Sequence, residues 1–378
     1  MSSTTPAPAP SHTSTSKVKQ LQLPSVFHFE GWEIRYRLSR SSGSAASKEA
    51  ATDAAQAAST GAGAEPLVFV HGTPWSSAVY GPVIEALQAK DGGKGASAGT
   101  GRTSLVYDLP GYGQSQNFQS SLRALAATSA GTGETSSVRP AFVGDTSVRL
   151  QARALAALLK HTKLDGAPSD ALPPLVIAHD IAGTIVLRAH LLEGCAFSRM
   201  LLVDTNTILP WGDGFYKLLR SEPGPFTRLP SPIFEAMLRA VIRSACYRGE
   251  ALSADGGAGR WEDVLAQPWL PHPEDTSSQD GQHRQHSFVR QIAQANDADV
   301  AELFAADKGG GYSNVNCDVT VLWGEEDQWI PRDKVETFIG MLGERCKRKV
   351  FVPRAGHLLM LDQPEVFQRE VLEWLEVE

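Results

Sequence analysis

The stretch Leu175-Val176-Ile177-Ala178-His179-Asp180-Ile181-Ala182-Gly183 decides the fold. Its first half is a short apolar run of strand length. It breaks at Asp180, between the small residues Ala178 and Ala182, and continues into the apolar segment Thr184-Ile185-Val186-Leu187-Arg188-Ala189. The pattern reads as a strand, a sharp elbow and a helix. At such an elbow the strained apex carries its side chain clear of the sheet, and only small neighbours fit around it. The apex here is a carboxylate, not the hydroxyl of the Gly-x-Ser-x-Gly form. A carboxylate in that place suits attack on an electrophilic carbon to leave an ester on the protein. The same residues also fit a plain strand-to-helix turn in which Asp180 caps the helix.

The neighbouring segments weigh against the plain turn. Pro66-Leu67-Val68-Phe69-Val70 is a buried-strand run followed by His71-Gly72-Thr73-Pro74. Leu105-Val106-Tyr107-Asp108 leads into Leu109-Pro110-Gly111-Tyr112-Gly113. Val319-Thr320-Val321-Leu322-Trp323 precedes Gly324-Glu325-Glu326-Asp327, and Val350-Phe351-Val352 precedes Pro353-Arg354-Ala355-Gly356-His357. In chain order these supply a Gly-containing loop, an apex acid, a second acid and a histidine. Each follows a strand, at the end where open α/β sheets bind ligands.

These motifs, in this order, resemble the α/β-hydrolase superfamily. The Asp180 apex and the His71-Gly72-Thr73-Pro74 loop resemble its epoxide hydrolase and haloalkane dehalogenase branch. The resemblance covers most of residues 66 to 208 and 317 to 376. It implies an α/β-hydrolase fold: a mostly parallel central sheet, helices on both faces and an inserted helical cap. The implied domains are a disordered tail over 1–24, a core over 25–208 and 300–378, and a cap over 209–299.

The implied chemistry runs through named residues. Asp180 attacks an sp³ carbon, His357 activates the water that cleaves the resulting ester, and Asp327 orients His357. Backbone N–H groups of Thr73 and Ile181 form the oxyanion hole; Pro74 has none to offer. Asp204, after another strand, is the alternative acid. His71 and His179 read as structural, and Asp108 as the residue that holds the Pro110-Gly111 turn. Epoxide hydrolases use two cap tyrosines to assist the leaving oxygen, and the cap here offers Tyr216 and Tyr247, with Tyr312 just beyond it. Ile181 stands where haloalkane dehalogenases carry tryptophan and fluoroacetate dehalogenases carry arginine, and Thr73 where many dehalogenases carry asparagine. The preferred reading is therefore an epoxide hydrolase-like enzyme acting on an apolar small molecule. Trp75, Trp211, Trp261 and Trp269 are candidates for an apolar pocket. Haloalkane or haloacid dehalogenation, hydrolysis of esters, lactones or carbon–carbon bonds, and a non-catalytic receptor or scaffold remain as alternatives.

Composition agrees with a cytoplasmic enzyme. The 378 residues allow one large domain and a smaller one, and the net charge of −7 gives no reason to expect nucleic acid or an anionic membrane as partner. No apolar run approaches the roughly 18 residues of a membrane span. Residues 1 to 8 lack the basic-then-apolar pattern of a secretory signal. Cys195, Cys246, Cys317 and Cys346 match no metal spacing and suit a reducing compartment. No cofactor or metal is expected; His283 and His286 stand in a polar loop (about 252 to 286) without a third ligand type. Ser-, Ala- and Gly-rich stretches near 40–65, 91–102 and 126–138 read as loop insertions. A hairpin is expected over 26–37 with its turn near Gly31, and helices over 145–164 and 364–375.

Overall fold

A computed structural model describes residues 21–40, 64–89, 102–118, 142–166, 172–249, 252, 260–272, 278–305 and 307–377. Most of the expected tail and of the three loop insertions lies outside these residues. Leu23, within the expected tail, is buried against the core.

Eight strands form one sheet: β1 (Ser25–Phe29), β2 (Trp32–Ser39), β3 (Leu67–Val70), β4 (Ser104–Tyr107), β5 (Leu175–His179), β6 (Arg199–Val203), β7 (Asp318–Gly324) and β8 (Cys346–Val352). Their order is β1-β2-β4-β3-β5-β6-β7-β8. The hairpin β1–β2 and the β2–β4 pair are antiparallel, and every pair from β4 to β8 is parallel. β3, β4 and β5 are buried along their whole length. That is what an apolar run without alternation requires of a strand covered on both faces.

The order reverses at β3. The chain moves from β3 to β4 in one direction and from β5 to β6 in the other. Right-handed crossovers then set the helix Gly81–Ala89 on one face and the helix Ile181–Leu192 on the opposite face. Gly81–Ala89 packs with the C-terminal helix Pro364–Glu376, and Val148–Thr162 packs with Ile181–Leu192. The strand ends beside the reversal carry the loops at 71–76 and the elbow at 180, where a ligand crevice belongs.

Between β6 and β7 the chain forms helices at Gly214–Ser221, Pro223–Thr227, Ser231–Ser244, Arg260–Ala266, Ser278–Gln294 and Asp297–Ala301. The helix Arg260–Ala266 and the start of the helix Ser278–Gln294 correct the expected loop over 252–286. Phe288, Val289 and Ile292 are buried at helical spacing, and that stripe outweighs the polar start of the segment. β8 begins at Cys346, four residues before the apolar run predicted it. Lys347, Arg348 and Lys349 are exposed on this edge strand, where charge blunts an open edge. No helix among the described residues is long and apolar enough to cross a membrane.

Candidate active site

Asp180 follows β5 directly, with φ +55° and ψ −126°. Such a backbone costs on the order of 1–3 kcal/mol for a residue with a side chain and persists only where its surroundings fix it. They do so here. The Asp180 N–H donates to the Val203 carbonyl at 3.1 Å, and its own carbonyl accepts from Gly183 at 3.0 Å and Asn206 at 3.1 Å. Two glycines make the close approach possible. A Cβ on Gly72 would lie 2.6 Å from the Asp180 Cβ, and one on Gly183 would lie 2.5 Å from the Thr205 Cβ. The Asp180 side chain forms no capping hydrogen bond with the helix it precedes, among the described residues, and lines a cleft instead.

The two carboxylate oxygens are unequally placed. Oδ2 accepts the Thr73 N–H at 2.9 Å. Oδ1 lies 3.5 Å from His357 Nε2, an ion-pair contact longer than a good hydrogen bond. On the other edge of the ring, His357 Nδ1 is 2.9 Å from Asp327 Oδ2. Oδ1 of the same Asp327 accepts the N–H groups of Trp329 at 2.8 Å and Ile330 at 3.1 Å. His357 is fully enclosed. Burial alone would lower its pKa, but Asp327 and then Asp180 outweigh it and hold the ring well above its usual value. Burial would raise Asp180, yet the bond and charge of His357 bring it below the usual carboxylate range. Both shifts favour an imidazolium beside a carboxylate.

Asp204 is the acid that does not face the imidazole nitrogen. Its Oδ1 accepts the Gly324 N–H at 2.7 Å, tying the end of β6 to the start of the Asp327 loop. Burial, and next the charge of Asp327, push its pKa well up. His71 shapes the Thr73 loop: Nδ1–H donates to the Gly72 carbonyl at 2.9 Å and Nε2 accepts the Leu109 N–H at 3.0 Å. That tautomer follows from an amide being a donor only. Asp108 accepts from Ser77 and Gln114, both at 2.7 Å, and so holds two loops. His179 turns away from the cleft and donates from Nε2 to the His357 carbonyl at 2.7 Å. Burial, then His357, lower its pKa to about 3, so it is a neutral strut for the histidine loop.

Thr73, Asp180 and Ile181 floor the cleft, and Trp211, Tyr216, Ile292 and Trp329 form apolar walls. The Tyr216 hydroxyl and Trp211 Nε1 are buried with no hydrogen-bond partner among the described residues. Burial and then Asp180 raise the Tyr216 pKa well above its usual value, so the hydroxyl keeps its proton. Tyr247, the other expected donor, is not among the lining residues. Its N–H donates to Asp362 Oδ2 at 2.8 Å and Arg248 covers its ring. Tyr312 is likewise engaged elsewhere, donating to the Thr207 carbonyl at 2.6 Å. Of the four expected pocket tryptophans, Trp211 lines the cleft, while Trp269 is buried and donates to the Pro74 carbonyl at 2.8 Å. Sequence reading missed Trp329 and Asn206, which also line it. The signal for Trp329 was Asp327 two residues earlier, since a turn closed by an Asp side chain directs the residue that follows.

Residues 67–370 match the model of the alpha/beta hydrolase family. No curated protein matches the sequence. Among solved structures the chain is similar to an alpha/beta hydrolase fold protein from Burkholderia ambifaria, with 27% identity and a TM-score of 0.65, over 94% of this chain and 99% of that one. It is also similar to a thermophilic esterase from Thermogutta terrifontis (16% identity, TM-score 0.57, 93% and 96% covered). A putative aryl esterase from Burkholderia cenocepacia is a third (14% identity, TM-score 0.54, 93% and 96% covered). With the two esterases the likeness is one of fold.

Proposed function

The chain belongs to the alpha/beta hydrolase family and is a hydrolase of that fold; from this premise we propose that Asp180 is its nucleophile and that it opens epoxides of apolar small molecules through an ester on Asp180. The observation that carries this reading is the divided carboxylate. Oδ2 is held by the Thr73 N–H, and Oδ1 is left beside His357 at the floor of an aromatic cleft.

Oδ1 attacks an sp³ carbon of the epoxide, and the carbon–oxygen bond of the ring breaks. The freed oxygen takes the proton of Tyr216, with the Trp211 N–H as a second unpartnered donor in the same cleft. Oδ2 becomes the ester carbonyl oxygen. It already meets the Thr73 N–H, with Ile181 beside it, so charge that develops there needs no rearrangement of the protein.

Ester formation removes the charge of Asp180, one of the two carboxylates that hold His357 protonated. The imidazolium then gives up its proton, which restores Tyr216. Neutral His357 takes a proton from water, and the hydroxide adds to the ester carbonyl carbon. Collapse breaks the bond between Asp180 Cγ and Oδ1, so Oδ1 leaves with the substrate as an alkoxide and the oxygen of the water stays on Asp180. The product alkoxide takes the new carboxyl proton, leaving the diol, an ionised Asp180 and a protonated His357. Asp327 keeps the ring oriented throughout. The helices between β6 and β7 act as the cap read over residues 209–299, shielding the ester from bulk water.

A panel of an aryl epoxide, a primary bromoalkane and an aryl acetate tests the reading. Diol formation that Asp180→Ala abolishes, with little bromide released, is the expected result. Bromide release without diol would replace the epoxide by a haloalkane. Acetate hydrolysis that survives Asp180→Ala would remove the nucleophile assignment.

A further inference from the structure

Trp329 lies face to face with His357, the ring centroids 4.7 Å apart and the planes 26° from parallel. Its other neighbours hold it there. Trp75 stacks on it at 5.7 Å and 19°, and Tyr216 meets it edge-on at 5.4 Å. Its Nε1–H donates to Ser244 Oγ at 3.0 Å, at the end of the helix Ser231–Ser244. Its backbone N–H is bound by Asp327 Oδ1, while Oδ2 of that carboxylate binds His357 Nδ1. One carboxylate therefore sets both the imidazole and the indole that covers it.

We propose that Trp329 is a positioning residue for His357: its indole face fixes the ring plane, so that Nε2 points at Asp180, and it stabilises the imidazolium form. An aromatic face attracts a cation, and more strongly where water is excluded. Hydrogen bonding to Asp327 alone leaves the imidazole free to swing about that bond; a flat neighbour on its face removes the freedom. The titratable groups around the ring are Asp180 from the elbow, Asp327 from the loop after β7, Asp204 from the end of β6 and His179 from the end of β5. His179 is tilted 46° to it at 4.9 Å and is neutral, so the parallel stack comes from Trp329.

The inference rests on His357 being the base of the reaction, but its test needs no turnover. The full chain, with ¹³C-labelled histidine, is titrated from about pH 5 to about pH 11 by NMR and by tryptophan fluorescence. The His357 resonance is identified by its loss in His357→Gln. Trp329→Leu is expected to lower the His357 titration midpoint by about half to one pH unit, and Trp329→Phe to restore most of it. Wild type is expected to show quenched emission while His357 is protonated, a component absent from both Trp329→Phe and His357→Gln. An unchanged midpoint in folded Trp329→Leu would overturn the proposal. So would a pH-dependent emission component that survives in Trp329→Phe or His357→Gln; these conservative variants decide the matter if Trp329→Leu does not fold. Loss of the Asp180 ester in a trapping experiment would strike the nucleophile assignment and leave this titration untouched.

Discussion

On the sheet side of the cleft, Asp180, Asp327 and His357 each stand within five residues of a strand's end, whereas Trp211 and Tyr216 opposite them belong to the helical segment between β6 and β7. The first side is built by backbone constraints. Strand ends, a residue at positive φ and glycines packed too closely for a Cβ put two carboxylates and an imidazole at one point. The second side is built by packing. Amphipathic helices bury one stripe, and which aromatic of that stripe meets the cleft depends on how each helix lies. Chemistry placed by backbone can be read from a motif; walls placed by helix packing need coordinates.

The sharpest way to break this contrast is to remove one group from each side. Asp180→Ala is expected to abolish turnover by about 10⁴-fold or more, measured in single-turnover kinetics. Tyr216→Phe is expected to slow ester formation by about 10²- to 10³-fold in stopped-flow traces, since one donor aimed at developing charge has that worth. Tyr247→Phe, half-buried and outside the cleft, is expected to stay within about twofold, as substitutions that touch neither the site nor the core do. Equal losses in the two tyrosine variants would mean that the cleft-lining position of Tyr216 confers nothing.

Backbone constraint predicts a second asymmetry, smaller and in stability. Gly72→Ala sets a methyl group 2.6 Å from the Asp180 Cβ, so it should cost about 1–3 kcal/mol in urea unfolding. Gly81→Ala meets nothing within 4 Å and sits at helical φ, so it should be neutral or stabilise by up to about 1 kcal/mol. A neutral Gly72→Ala would show that the elbow is not held by close approach.

Those constraints explain what was legible in the sequence. The hairpin at Gly31, the apolar runs of β3, β4, β5 and β7, the elbow and the C-terminal helix all follow local rules, and their expected spans agree with the observed ones within a few residues. Asp327 rather than Asp204 was expected beside His357; Asp327 Oδ2 lies 2.9 Å from Nδ1, while Asp204 Oδ1 accepts the Gly324 N–H. The start of β8 was hidden because Lys347, Arg348 and Lys349 carry no apolar signal on an edge strand. The helix Ser278–Gln294 was hidden by the polar residues of its first turns. The separate fates of Tyr216 and Tyr247 were hidden for the packing reason above, whereas Trp329 stands on the loop after β7, where the turn closed by Asp327 is its one local signal. His179 read as structural, but its bond to the His357 carbonyl joins residues 178 positions apart, which no local pattern encodes.

The smallest effect is in pH dependence. His357 titrates higher in the fold than in the unfolded chain, where it takes the ordinary value near 6.5. The native state then binds more protons through the interval above that value. Its stabilising contribution is complete below about pH 6.5 and is lost as pH rises through the folded pKa. From about pH 6 to about pH 9, wild type should therefore lose more unfolding free energy than His357→Gln. Asp180 acts at the other end: its lowered pKa stabilises the fold above about pH 4, and that contribution is lost as pH falls. Parallel curves for wild type and His357→Gln over the upper interval would contradict the imidazolium–carboxylate pair.

The measurement closest to the central claim is the mass of His357→Gln after brief exposure to an aryl epoxide, followed by peptide mapping. Alkylation needs the carboxylate, whereas hydrolysis needs the base, so this variant should accumulate one substrate adduct, mapped to Asp180 and absent from the His357→Gln, Asp180→Ala double variant. An adduct that maps elsewhere, or catalysis by wild type with no adduct in His357→Gln, would contradict Asp180 as the nucleophile.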